Sequence, residues 1–426
     1  MTIVIHSVAL MATILTLAYL GFLAHGAYRR QARMAQLHSD EQALLQAQLD
    51  LITMPIAKVA SDKSQAAWSG FRKFRVEGKV LEAESCCSFY FAPHDGRPLP
   101  PFLPGQYLTF KLQIPGQTRE VTRCYSLSDS PDHSDYYRCT IKRIPPPPNA
   151  PDVPPGVGSS HFHDRIQVGD IVDVKAPSGH FHLDVNSRSP VVLIGGGIGV
   201  TPALSILNYL TAVPGNKREI WFFYGVRNSR EHIQMEYLRE VASLHENVHL
   251  VVCYSEPLPD DKEGEDFHHK GWVGVDLFKR VLEVNNFDFY ICGPPPMMET
   301  LVKGLAEWGV PEDHVHFEAF GPASVKKVAK VETAEQAADT SGVAVNFVRS
   351  NKTVSWTSGT GSLLELAEAH GIRMDSGCRA GSCGTCVTAI RDGQVDYPSG
   401  KPDFDIEKGS CLACVAVPKS ALSVEA

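Results

Sequence analysis

Hydrophobic and polar positions divide the chain into stretches of different period. Ser7 to Ala24 is an uncharged, mostly apolar run of 18 residues with His6 and His25 beside it, at the short end of what spans a bilayer. Arg29, Arg30 and Arg33 follow directly. A signal peptide carries its charge before the apolar run and a small-residue cleavage site after it. The pattern therefore predicts an uncleaved transmembrane anchor over 1–28 in preference to a cleaved leader or a buried helix. Positive-inside bias then makes the chain a single-pass protein of the inner (cytoplasmic) membrane, with the remainder cytoplasmic. Residues 29–70 read as a helical stalk, because Gln31–Leu51 is rich in Ala, Gln and Leu. A coiled-coil seam fits less well: Glu41 interrupts the stripe Leu37, Leu44, Leu45, Leu49 and Ile52, and Pro55 ends it.

From 71 to 185 short alternating runs such as Tyr107–Leu112 and Tyr136–Ile144 are broken by Pro and Gly, the pattern of an antiparallel β domain. Pro145–Pro148, Pro151, Pro154 and Pro155 make a stiff inserted loop. The period changes at Pro190. Val191–Ile194 is a continuous apolar strand, followed by a helix from about Pro202, strand Ile220–Tyr224 and helix Glu231–Leu244. Strand Val248–Cys253, helix Val275–Val284, strand Phe287–Cys292 and helix Met297–Trp308 complete the series. Alternation of this kind predicts an α/β doubly wound parallel sheet over 186–321. Residues 322–341 lack apolar periodicity and read as a linker. Residues 342–426 form a small last domain with strands Val343–Val348 and Val387–Ile390 and a helix at Leu363–Ala369.

Composition narrows the class. At 426 residues the chain has room for about two to four domains, and a net charge of −8 argues against a nucleic-acid binder. Of 11 cysteines, Cys378, Cys383, Cys386, Cys411 and Cys414 crowd into one C-terminal window. A secreted disulfide scaffold would be shorter and more evenly spaced, so the crowding points to metal ligation.

Cys378, Cys383 and Cys386 have the C-x4-C-x2-C spacing of plant-type [2Fe–2S] sites, with a further cysteine downstream. Three thiolates so close wrap one side of a small cluster, and Gly377, Gly381 and Gly384 let the backbone curl around it. Two C-x2-C zinc knuckles, Cys383/Cys386 and Cys411/Cys414, are the competing reading. By spacing alone either Cys411 or Cys414 completes the set. Residues 342–426 resemble a plant-type ferredoxin domain, an α+β β-grasp fold. The stretch Leu412-Ala-Cys414-Val-Ala-Val-Pro418 matches the segment that carries that family's fourth ligand. The resemblance implies Cys378, Cys383, Cys386 and Cys414 as ligands and Cys411 as a bystander.

Upstream, period two places Arg123 and Tyr125 of Arg123-Cys-Tyr125-Ser126 on one face of a strand. A guanidinium forks phosphate and a phenol ring stacks on a flat heterocycle. Phe102-Leu-Pro-Gly105-Gln-Tyr107 precedes this motif, and a Gly-rich turn with Gly156, Gly158 and Ser159 opens a helix after it, a place for a pyrophosphate. Between the next strand and helix lies Gly195-Gly196-Gly197-Ile198-Gly199-Val200-Thr201-Pro202, in which Thr201 suits an N-cap and Pro202 the first turn. It lacks the third glycine of the full dinucleotide fingerprint, and no acidic residue ends the second strand. Cys292-Gly293-Pro294 closes the last long strand.

Together these motifs make 71–321 resemble the ferredoxin–NADP reductase superfamily, and within it the reductase part of bacterial flavohaemoglobins. The resemblance implies an antiparallel β-barrel over 71–185 that binds FAD. Arg123 would hold its phosphate, Tyr125 and Ser126 would face its ring, and Gly156, Gly158 and Ser159 would cradle its pyrophosphate. It implies NAD(P)H on the α/β domain at Gly196, Gly197, Gly199, Thr201 and Pro202. Cys292 and Gly293 would lie beside the reacting nicotinamide carbon, and Phe320 of Glu318-Ala-Phe320 would approach the flavin. Ser126, Cys292 and Phe320 are thus the expected residues at the hydride path. NADH is favoured over NADPH by the same likeness. Arg227 and Arg230, placed where a 2′-phosphate would sit, read as solvated loop residues, as do His161/His163 and His268/His269. No globin-like segment precedes the reductase motifs, so haem chemistry is not expected.

The whole reads as a membrane-anchored oxidoreductase. Hydride passes from NAD(P)H to FAD, then single electrons pass through the cluster to an electron-accepting protein or quinone. The implied acceptor is an oxygenase, hydroxylase or desaturase component. An NADH:quinone reductase and a redox sensor that does not turn over are the alternatives.

Overall fold

The computed structural model describes residues 68, 70–117, 120–146, 152, 154–320, 342–357, 360–377, 379, 381, 384–398 and 406–426. The predicted anchor, nearly all of the stalk, the 322–341 linker, Cys378 and Cys383 lie outside the described residues. The membrane placement needs correction. Among the described residues no helix is long and apolar enough to cross a membrane, and the run that carried the expectation lies outside them.

The first domain is a six-stranded antiparallel sheet. Its strands are β1 (Arg72–Ala83), β2 (Cys86–Pro93), β3 (Tyr107–Leu112), β4 (Val121–Ser126), β5 (Tyr137–Lys142) and β6 (Ile171–Ser178), in the order β4-β3-β6-β1-β2-β5. The two end strands approach through a bridge between Leu127 and Cys139 and a bond from Ser128 N to Arg138 O at 2.9 Å, which curls the sheet toward a barrel. Helix α1 (Val157–Asp164) plugs one end. Phe89, Phe91, Phe110 and Tyr125 surround Phe162 of that helix edge-to-face at 5.2–6.3 Å, an arrangement aromatic quadrupoles favour.

The second domain is wholly parallel. It contains β7 (Val191–Gly196), α2 (Val200–Ala212), β8 (Ile220–Val226), α3 (Met235–Leu244), β9 (Val248–Tyr254), β10 (His269–Lys270), α4 (Val275–Val281), β11 (Asp288–Gly293), α5 (Pro295–Glu307) and β12 (Val315–Ala319). The strand order is β10-β9-β8-β7-β11-β12. Both faces of β7 are covered: Val191 and Leu193 enter the core with Leu204, Leu207 and Leu238, while Val192 and Ile194 enter the opposite one with Phe278, Leu301 and Leu305. Burial on both sides is why the strand reads as unbroken apolar sequence. Two helix ends differ from the sequence reading. Glu283 takes φ +59° and ends α4 early, and Gln234 takes φ +54°, so α3 begins only at Met235.

The third domain has strands β13 (Val343–Phe347), β14 (Lys352–Trp356), β15 (Val387–Asp392), β16 (Val395–Asp396), β17 (Ser410–Leu412), β18 (Val417–Pro418) and β19 (Leu422–Val424), with helix α6 (Leu363–Ala369). The main sheet runs β14-β13-β19-β15-β17, with β13 and β19 parallel. Ser362 and Glu365 form a reciprocal capping box at the start of α6, satisfying two otherwise orphaned backbone donors.

Candidate functional site

Strand β4 carries the first motif. Its pairing with β3 sets Phe110 opposite Arg123, Leu108 opposite Tyr125 and Tyr107 opposite Ser126. Arg123 and Tyr125 share one face, as period two requires, and α1 begins against that face. A side chain on Gly158 would bring its first carbon within 2.7 Å of Arg123 Cγ and 3.1 Å of Tyr125 Oη. Only glycine lets the helix start so close. Ser159 turns inward: its Oγ donates to Gly156 O at 3.0 Å and accepts from Ile144 N at 3.2 Å. The turn is thereby rigid, and the first-turn N–H groups, which have no intrahelical acceptor, are what it offers an anion. The Arg123 guanidinium is exposed and donates to Thr122 O at 2.7 Å. Burial raises the Tyr125 phenol pKa, so the ring is neutral. Ser126 is buried, and its Oγ lacks a hydrogen-bond partner. A buried hydroxyl left open calls for an explanation, such as a group that fills the site.

The second and third motifs meet. β7 and β11 are parallel neighbours, with Gly195 opposite Cys292, and the chain leaves β7 toward β8 on its other side. Their carboxyl ends therefore form the topological switch point, where open α/β sheets bind ligands. Gly197–Gly199 is a 3-10 turn running into α2. A side chain on Gly199 would strike the Cys292 carbonyl and reach 2.7 Å from Gly293 Cα, so the two loops touch backbone to backbone. Gly196 is crowded instead by side chains: a first side-chain carbon there would lie 2.5 Å from Met297 Sδ and 2.8 Å from Pro294 Cδ. Thr201 does not cap the helix as expected. The 3-10 turn flows directly into α2, leaving Thr201 inside the first turn, where its Oγ1 donates to Ile198 O at 3.0 Å. Pro202 does sit in that turn, buried.

Cys292 is fully buried. Burial, and then the nearby Glu318 carboxylate, push its thiol well above the ordinary range, so it is a neutral S–H and not a nucleophilic thiolate. Phe320, just past β12, is 37% exposed. Arg227 is spent on Glu231, its Nε donating to Oε1 at 2.8 Å, and Glu231 also faces Lys142 at 3.4 Å. His163 Nε2 is bonded to Ile141 O and His268 Nδ1 to Val252 N. No cluster of three or more His, Cys, Asp or Glu suited to a metal occurs among the described residues.

In the third domain Cys386 and Cys414 come together, both buried, with Sγ atoms 3.1 Å apart. Ala413 N donates to Cys386 O at 3.1 Å, tying the two segments. Cys411 is fully buried in β17, opposite Thr388 of β15. Gly381 and Gly384 take φ of +77° and +71°, the left-handed turns expected of that loop.

Sequence reasoning missed the junction between the first two domains, where Asp129, just past β4, meets Ser205 and Asn208 of α2. The available signal was Ser205 and Asn208, two polar residues three apart within the buried run Ala203–Asn208 of that helix.

Comparison with known proteins agrees with this architecture. Residues 75–183 match an oxidoreductase FAD-binding domain, 193–303 an oxidoreductase NAD-binding domain and 346–419 a 2Fe-2S iron-sulfur cluster binding domain. A flavohemoprotein of Halalkalibacterium halodurans is 41% identical over 268 residues, 62% of this chain and 64% of that protein. The chain thus spans slightly less than two thirds of this relative's length. The flavohem-like FAD/NAD binding domain of nitric oxide dioxygenase from Vibrio cholerae O1 biovar El Tor is 30% identical, with a TM-score of 0.52, over 59% of this chain and 100% of that one. Phthalate dioxygenase reductase, described as a modular structure for electron transfer from pyridine nucleotides to [2Fe-2S], is 26% identical with a TM-score of 0.50. That match covers 84% of this chain and 98% of that one. The domain content is that of an NAD(P)H-dependent electron-transfer oxidoreductase. Its first two domains belong to the ferredoxin–NADP reductase-like fold, and its cofactors are FAD, a [2Fe–2S] cluster and NAD(P)H.

Proposed function

We propose that this chain is the reductase component of an oxygenase, hydroxylase or desaturase system, oxidising NADH and delivering single electrons to a protein acceptor. The contact of the Gly199 loop with the Cys292–Gly293 turn carries this reading, because a nicotinamide would be seated there, at the switch point of a chain that also holds a 2Fe–2S domain. The oxygenase side rests on the likeness to phthalate dioxygenase reductase along nearly all of that protein.

Bound FAD and the cluster would supply the conversion from a two-electron donor to one-electron delivery. The chain's own residues bind and orient. Arg123 and the first turn of α1, with Gly156, Gly158 and Ser159, would hold the flavin phosphates. Tyr125 and the open Ser126 Oγ would meet the ring, and Phe320 would cover a face of it. Gly196, Gly197, Gly199, Thr201 and Pro202 would seat the dinucleotide. Neutral Cys292, beside Gly293, would pack against the nicotinamide and exclude water without taking a proton. Cys378, Cys383, Cys386 and Cys414 would hold the cluster. NADH is preferred because a 2′-phosphate would have to compete with Glu231 for Arg227.

Anaerobic titration of the purified protein with NADH and NADPH, followed by visible absorption and electron paramagnetic resonance, tests the route. Flavin bleaching and a reduced-cluster signal are expected at lower NADH than NADPH. Bleaching without a cluster signal overturns it.

A further inference from the structure

The flavin strand and the nicotinamide helix are joined by one side chain that neither cofactor site uses. Asp129 lies three residues beyond Ser126 and is 8% exposed. Its Oδ1 accepts from its neighbour Ser130 N and from Asn208 Nδ2 of α2, both at 2.9 Å. Its backbone carbonyl accepts from Ser205 Oγ at 2.8 Å, one helical turn nearer the glycine loop. On the barrel side Oδ2 accepts from Tyr136 Oη at 3.2 Å and pairs with Arg138 Nε at 3.4 Å, while His133 lies 3.5 Å from Oδ1. Tyr237 of α3 closes the set, its Oη donating to Asn208 Oδ1 at 2.9 Å.

Beside this cluster opens a cavity of about 510 Å³, lined in part by Glu82, Arg138, His232 and Tyr237. Elsewhere the junction is apolar, with Cys86, Phe181 and Leu183 packed among Leu193, Leu204 and Tyr224; beside the cavity the directional hydrogen bonds of Asp129 add an angular constraint that non-directional packing does not supply. The chain from Ser126 to Asp129 is short and buried. α2 begins where the glycine loop ends. A shift at Asp129 is therefore passed to both reacting partners at once.

We propose that Asp129, with Asn208 and Ser205, is a positioning latch that sets the distance and angle between the flavin and the nicotinamide. It touches neither reacting group and acts through β4 and α2. The proposal rests on the route proposed above, in which NADH reduces the flavin.

The test is anaerobic stopped-flow reduction of the FAD-loaded full chain by NADH, expressed per bound flavin. Asp129→Ala and Asn208→Ala are compared with wild type. A misplacement of about an ångström costs on the order of ten- to a hundred-fold in rate, so each variant is expected to slow flavin reduction at saturating NADH by about that range. The half-saturating NADH concentration should move little, and the long-wavelength charge-transfer absorbance with NAD⁺ should weaken. The double variant should be no slower than the slower single one, since both break one latch. Asn208→Ala keeps the Asp129–Arg138 pair and decides the matter if Asp129→Ala loses FAD. Wild-type rates per flavin, with only a lower melting temperature or lower FAD content, would show a merely structural role and overturn the latch. A wild-type flavin that NADH does not reduce would instead overturn the route.

Discussion

Burial decides the chemistry of single residues here. Cys292 looks reactive in a Cys-Gly-Pro turn, yet its position inside the sheet keeps the thiol protonated. His232 is the reverse case of an ordinary residue made sensitive. It is 4% exposed, its Nδ1 is 2.9 Å from Tyr254 Oη, and burial, aided by the Arg239 charge, lowers its pKa to about 3. The unfolded residue titrates at about 6.5. Between those values the unfolded chain holds a proton that the folded one excludes, so stability is full above about pH 6.5 and falls as the pH drops. The slope is about 1.4 kcal/mol per pH unit. His161, His163, His268 and His316 shift the same way and add to it. Replacing His232 with Gln is expected to remove about one proton's worth of slope between pH 6.5 and about 4, read from urea midpoints. An unchanged slope would mean that the imidazole is not held neutral.

At the scale of elements, the site is made by strand ends that sequence reads separately. β7 and β11 are far apart in the chain but adjacent in the sheet, and glycine at 199 allows their turns to touch. Gly199→Ala sets a methyl against the Cys292 carbonyl. Overpacking of this kind costs about 1–3 kcal/mol, and the loops must part to accept it. The expected outcome is a lower melting temperature together with flavin reduction by NADH slowed by about tenfold or more. Full activity in a stable Gly199→Ala protein would mean that the close approach is not needed. Thr201 shows the limit of local reading at this scale. Its sequence suits a cap, but the preceding 3-10 turn had already started the helix, a choice set by packing of the loop on β11.

At the scale of the whole molecule, the three domains divide the labour. In the proposed route flavin reduction would need the first two, and one-electron delivery the third. Cys414→Ser is therefore expected to abolish the reduced-cluster resonance and electron delivery to a one-electron protein acceptor, while NADH still bleaches the flavin at a near-normal rate. Loss of flavin reduction in that variant would show that the domains do not work as separate stages. Cys411→Ser serves as the contrast, because Cys411 sits in the sheet core and its loss should spare the resonance.

What the sequence determined by itself was the order of domains and the kinds of chemistry they carry. Period two over 107–112 and 136–144, the unbroken apolar run at 191–194 and the helix at 363–369 follow from side-chain geometry that repeats locally. The cysteine spacing and the glycine turns follow from what thiolates and phosphates demand of a short backbone. Tertiary structure decided which of these pieces meet. Cys292 against Gly199, Arg123 and Tyr125 against Gly158, and Asp129 against Asn208 are contacts between residues remote in the chain. No local pattern encodes such contacts, because they depend on strand order and on how two cores pack. Tertiary structure likewise set the protonation of Cys292 and His232, because desolvation is a property of the folded surroundings and not of the residue.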